Sequence, residues 1–191
     1  MTIKNERMKQ IFIDSAKTII KEKGLKFVSA REISKISGYS YTTLYNYFEN
    51  IDSLLTYVAV DYLEESYQEM LQALKGTNDI KKKIIVASKT YFSFMYNHPS
   101  IFKIVFINDF GVEVESMSYK LIPKVTILLR ELLKDLKDRQ ITLDRDILFE
   151  LISSSIHSKL MFAIFKRSPI KYDDLLMMIE RELNILIGDI K

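Results

Sequence analysis

Apolar residues recur along this chain at three- and four-residue steps, and the few glycines and prolines that break the rhythm stand far apart. Met8, Ile11, Phe12, Ala16, Ile19 and Ile20 form one stripe, which predicts a helix over about 5–23, stopped by Gly24. Ser29 followed by Glu32 reads as a capping box for a helix of about two turns, with Ile33 and Ile36 inward and Gly38 at its end. Ser40 is placed to cap a third short helix through Asn46, turning Leu44 and Phe48 inward and Tyr41, Thr42, Tyr45 and Asn46 outward. Asn50 then caps a longer helix over about 51–75, which opens with an inward stripe of Leu54, Leu55, Val58, Tyr62 and Leu63. The spacing predicts further helices over about 79–97, 100–109, 115–137, 144–167 and 172–188, with Pro123 near the first turns of the third of these. No alternating strand pattern bounded by turn pairs occurs, so the expected fold class is all-α.

The 191 residues are 48% apolar and 28% charged, an ordinary globular balance with enough length to bury a core. No cysteine is present, which excludes a disulfide framework and every thiolate metal site. The longest stretches without a charged residue, 36–48 and 90–102, fall short of the roughly 20 apolar residues that cross a bilayer. The charged start, Lys4, Glu6, Arg7 and Lys9, does not resemble a signal peptide, so the expected location is the cytoplasm. The net charge of +3 is uneven: residues 1–50 carry +4 and residues 51–191 carry −1. An anionic partner is therefore expected at the N-terminal end.

Two short helices joined by a glycine-containing turn and preceded by a longer basic helix have the spacing of a helix-turn-helix unit. Such a unit needs small or hydrogen-bonding side chains on the face that enters the major groove and apolar ones behind, and residues 40–48 alternate accordingly. Asn46 has the amide to read adenine, and the Thr42 and Thr43 methyls suit thymine. Residues 36–48 hold no charged side chain, so phosphate binding falls to hydroxyls, backbone N–H groups and Lys26, Arg31 and Lys35 nearby. The competing reading is a plain three-helix core with surface tyrosines, although Tyr39, Tyr41, Tyr45, Tyr47 and Phe48 are more aromatic surface than packing requires.

The run from Val28 to Asn50, above all Gly38, Ser40, Thr43-Leu44-Tyr45 and Tyr47-Phe48, resembles the DNA-binding signature of the TetR (tetracycline repressor-like) regulators. The resemblance covers about residues 4–55 and is architectural beyond them. It implies an N-terminal three-helix DNA-binding domain over 1–50 and an all-helical ligand-binding and dimerisation domain over 51–191. It also implies that Ser40, Thr43 and Tyr47 hold phosphates, and that Tyr41, Thr42, Tyr45 and Asn46 lie nearest the bases. This chain departs from many relatives in having Tyr39 in place of Val and Ile51 in place of Lys, the latter removing one phosphate contact.

In the remainder, Tyr91, Phe94, Phe102, Phe106 and Phe110 are candidates to line an apolar effector pocket, with plain core packing as the alternative. His157, within Ser153-Ser154-Ser155-Ile156-His157-Ser158, is a candidate polar contact in that pocket or a satisfied core histidine. Two distant histidines without cysteine give no metal site, no cofactor is expected, and no nucleophile–base pair or phosphate loop points to an enzyme. Apolar residues off the main stripe, Ile147, Met161, Phe165, Met178 and Ile185, suit a twin subunit. The expected function is a one-component repressor that binds a palindromic operator as a homodimer and is released by a small apolar or aromatic effector. The alternative is a helical adaptor or ligand-binding protein that no longer binds DNA.

Overall fold

The computed structural model describes residues 3–107, 123–136, 144–167 and 169–188. Among them every regular element is helical: α1 (Ile3–Glu22), a 3-10 turn (Leu25–Phe27), α2 (Ala30–Ser37), α3 (Tyr41–Tyr45), α4 (Ile51–Ala73), α5 (Ile80–Asn97), α6 (Pro99–Phe106), α7 (Lys124–Asp135), α8 (Arg145–Ile164) and α9 (Tyr172–Leu186). The fold is all-α, as the periodicity predicts. These elements form two compact units, and the boundary falls within α4, after Tyr62.

The first unit holds residues 3–62 with 100–107. Its core is the stripe of α1 met by one or two residues from each later helix: Phe12, Ala16, Ile19, Ile33, Leu44, Phe48, Leu54 and Val58 are all buried. Phe12 sits edge-on to Phe48 at 6.3 Å, and Phe48 edge-on to Tyr57 at 5.4 Å, a geometry that aromatic quadrupoles favour. α6 adds buried Ile101, Phe102 and Ile104. Ile36, expected inward, is 40% exposed. α2 has two turns and buries only Ile33, so the inward stripe does not extend to its last turn.

The second unit holds residues 63–99 with those described after Pro123. α5 is its axis, packing against α7, α8 and α9. Ile84, Ala87, Phe92 and Met95 of α5 meet Leu129 and Leu133 of α7, Leu148, Ile152, Ile156 and Leu160 of α8, and Leu175, Ile179 and Leu183 of α9 in one buried core. Pro123 stands at the N-cap of α7 with extended ψ, immediately before the described helix, and residues 115–122 lie outside the described residues. α8, although it carries Glu150 and Lys159, has a mean hydropathy of 1.4 over 18 residues and so meets the length and composition of a membrane span. One side of it, Leu148, Ile152, Ile156 and Leu160, is packed into the bundle.

Candidate nucleic-acid interface

The helix-turn-helix is built by short-range bonds. Ser29 is extended and its hydroxyl accepts from the Glu32 backbone N–H at 3.3 Å, opening α2. The other half of a capping box is missing, because the Glu32 carboxylate turns instead to Lys23 at 2.8 Å and Lys35 at 2.5 Å. Those two ammonium groups hold the Glu32 carboxyl well below the usual carboxylate range, at about 2. Gly38 ends α2 in the left-handed region, φ 76°, with its N–H on the Ser34 carbonyl at 3.1 Å. Two residues later Ser40 caps α3, accepting from the Thr43 N–H at 3.1 Å while its Oγ meets Thr43 Oγ1 at 2.9 Å. Asn50 starts α4 in the same way, its Oδ1 accepting from the Ser53 N–H at 2.7 Å.

α3 thus has one buried side chain, Leu44, with Phe48 sealing the exit from the helix. Tyr41 is 63% exposed, and Thr42, Tyr45 and Asn46 are exposed beside it. Ser40 is exposed, whereas Thr43 and Tyr47 are half-buried; the Tyr47 ring lies 6.1 Å from Phe12. Lys26 is exposed with its ammonium over the Phe27 ring at 5.0 Å, and Arg31 is exposed on α2. The arrangement offers a hydroxyl- and amide-bearing ridge on a buried apolar core, the chemistry that reads base edges in a groove.

Contacts between distant parts of the sequence hold α1 to α4. Lys9 reaches Tyr57, with Nζ 3.3 Å from the phenol oxygen and 4.6 Å from the ring centre. Lys17 pairs with Asp61, and its ammonium lies 4.5 Å over the Tyr62 ring. Neither link was readable in the sequence, where the partners stand 48 and 44 residues apart. Their only local signal is the placing of both lysines among the apolar positions of α1.

Residues 12–58 match the family described as bacterial regulatory proteins, tetR family, a span that takes in the whole ridge and its core. That stretch, a quarter of the chain, is similar to the N-terminal part of TetR-family regulators. A curated relative, the HTH-type transcriptional activator FasR of Mycolicibacterium smegmatis, is 24% identical over 110 residues, 58% of this chain and 50% of FasR. The chain thus spans about half the length of that relative. The fold matches FadR of Bacillus subtilis, solved with stearoyl-CoA, at a TM-score of 0.73, with 18% identity over 95% of this chain and 99% of FadR. It also matches RolR, solved with resorcinol, at a TM-score of 0.70, with 21% identity over 97% of this chain and 89% of RolR.

The aromatic candidates of the remainder are distributed over both units. In the second unit Tyr91 and His157 come together, the phenol oxygen 3.0 Å from Nε2 and the rings 5.8 Å apart. Phe94, in the same unit, is buried, its ring tilted against that of His98 at 4.4 Å. Phe102 and Phe106 belong to the first unit, where their rings lie 5.0 Å apart, the first buried and the second exposed. Phe110 lies outside the described residues. Sequence reading passed over Tyr172, whose ring closes on Tyr96 at 4.8 Å and whose hydroxyl donates to Ser93 at 2.7 Å.

Proposed function

We propose that this chain is a TetR-family one-component transcriptional repressor that binds a palindromic operator as a homodimer. The observation that carries the reading is α3, which exposes Tyr41, Thr42, Tyr45 and Asn46 on a buried Leu44 and Phe48 within the span that matches the family. Asn46 and the Thr42 methyl read base edges, while Ser40, Thr43, Tyr47, Lys26 and Arg31 position the backbone of the duplex. In this reading residues 1–50 bind DNA and residues 51–191 bind effector and twin subunit. The twin subunit covers the outer face of α8, where Ile147, Leu151, Met161, Phe162 and Phe165 are exposed around Ser154 and Ser158. A two-fold dimer then presents two ridges to half-sites about 34–36 Å apart, and a small change in their separation releases the operator.

The effector is apolar or aromatic, in keeping with the stearoyl-CoA and resorcinol named for FadR and RolR. Regulation of this kind places the protein in the cytoplasm and requires no catalysis. The test is fluorescence anisotropy of the purified chain with its own upstream intergenic DNA beside a scrambled duplex, at near-physiological salt. Selective binding at two subunits per duplex supports the reading. Equal, weak binding to both duplexes refutes it and favours the adaptor alternative.

A further inference from the structure

α3 and its exit present four side chains to solvent in two pairs, Tyr41 with Tyr45 and Thr42 with Asn46. The members of each pair stand four residues apart, and Asn46 keeps right-handed helical angles, so the pairs run side by side along one face. Among the described residues none of these four side chains makes a hydrogen bond, an ion pair or a ring contact. Their neighbours differ: the Thr43 hydroxyl meets Ser40 Oγ at 2.9 Å, and the Tyr39 ring lies edge-on to Phe12 at 5.9 Å. The unengaged face therefore consists of two phenol rings, one methyl-bearing hydroxyl and one carboxamide. Guanine is read in the major groove by the donors of Arg or Lys and cytosine by a carboxylate, and residues 36–48 contain neither. Lys35, the nearest cation before them, is held by Glu32 at 2.5 Å, and Glu49, the first carboxylate after them, follows the buried Phe48 outside the helix.

We infer that Tyr41 and Tyr45, with the Thr42 methyl, determine the specificity of the operator contact, and that they select half-sites rich in A·T pairs by covering the C5 methyl groups of thymine. The inference rests on the reading of α3 as the element that enters the major groove. An aromatic ring pressed onto a polar base edge strips that edge of water and returns no hydrogen bond from its face. Over a thymine methyl the same ring removes apolar surface from water on both sides. Asn46 adds the donor and acceptor that match adenine, so every unengaged group on this face suits one member of an A·T pair. What the rings cover is a methyl and not a base pair. Deoxyuridine, which pairs as thymine does, lacks that group, and 5-methylcytosine supplies it on a G·C pair.

The test begins with selection of binding sites from a random duplex library by the full chain, which is expected to enrich A·T-rich half-sites. Competition anisotropy then compares the selected duplex with versions in which single thymines are replaced by deoxyuridine, a change that keeps the pair and deletes one methyl. Replacement under a ring is expected to weaken binding about four-fold, the transfer of one methyl group, and replacement outside the half-sites to have no effect. At the same position 5-methylcytosine is expected to bind about four-fold more tightly than cytosine. Tyr41→Ala and Tyr45→Ala change exposed side chains, so the thermal melt is expected to hold while the uridine penalty disappears at the position that the lost ring covers. Half-sites dominated by G·C pairs, or a penalty untouched in both tyrosine variants and in Thr42→Ser, overturn the inference and leave the regulator reading standing. An A·T preference without any uridine penalty belongs to the shape of the duplex and overturns it likewise. Enrichment of no sequence at all is the failure of the regulator reading itself, and the inference falls with it.

Discussion

Gly38 sets the turn of the helix-turn-helix, and its replacement separates backbone cost from contact cost. Its φ of 76° lies in the left-handed region, and a Cβ built there meets nothing within 4 Å. Gly38→Ala therefore introduces no collision, and the whole effect is conformational. A non-glycine residue in the left-handed region costs about 1–2 kcal/mol, while losing glycine from the unfolded chain returns about 0.4–1 kcal/mol. The net loss is about 1 kcal/mol, equivalent to a fall of about 2–4 °C in Tm for a chain of this size. Gly38→Asn is expected to lose less, because Asn tolerates this region through local hydrogen bonding. Thermal melts followed by far-UV circular dichroism measure both, with operator affinity read well below the transition. If the backbone keeps its turn, α3 keeps its direction and the affinity of the alanine variant stays within about two-fold. The reasoning is refuted if alanine melts with the wild type while DNA binding collapses, since the turn would then have left the left-handed region. An Asn variant less stable than the Ala variant would refute it equally.

Asp61→Asn removes the carboxylate that Lys17 reaches at the side of α4; with both side chains mostly buried, a loss of about 1 kcal/mol is expected in urea unfolding, and none supports no role for the pair. Asn46→Ala is expected to change the preference among operator variants, whereas Tyr47→Phe weakens all sequences about equally; a competition anisotropy panel distinguishes the two. Phe162→Glu places a charge on the exposed apolar side of α8, and sedimentation at micromolar concentration is expected to show a monomer with an unchanged helical spectrum. His157 takes a proton near 6.5 when unfolded and at about 4 when folded. Between these values the unfolded chain binds more protons, so stability is full above about pH 6.5 and declines toward pH 4, by at most about 3 kcal/mol. His157→Gln is expected to flatten that part of the urea-stability profile. Glu32, lowered to about 2, contributes in a different window, with stability lost as pH falls from about 4.5 toward 2.

What the sequence made legible follows the range of the forces involved. Ser29, Ser40 and Asn50 are caps because each bonds a backbone N–H three residues on, a relation any reader of the chain can see. Leu44 and Phe48 follow from helical period in the same way. Ile36 does not, because the period says only that a residue shares a face with Ile33, not whether the neighbouring helix extends far enough to cover it. Phe102 and Phe106 were grouped with Tyr91 and Phe94 on composition, yet they lie in the other compact unit, since α6 begins where the second unit's segment ends. The Tyr91–His157 bond spans 66 residues, and no local pattern encodes it.

The charge count of the first 50 residues is the clearest case of a sequence quantity that the fold redistributes. Nine basic side chains stand there, but Lys9 and Lys17 lie against α4, and Lys23 and Lys35 share the Glu32 carboxylate. Four of the nine are thus engaged within the unit, while α3 itself brings none. A duplex on this surface would meet mainly hydroxyls, amide groups and helix-start N–H donors, which position phosphates without exchanging counterions. Each phosphate neutralised by a cation contributes about −0.9 to the slope of log affinity against log salt. The slope for this chain is therefore expected to be shallow, and selectivity to persist at salt concentrations that release an arginine-rich reader. A steep slope would mean that the Glu32 clamp opens on DNA and gives Lys23 and Lys35 back to the phosphates; Glu32→Gln would then steepen the slope no further.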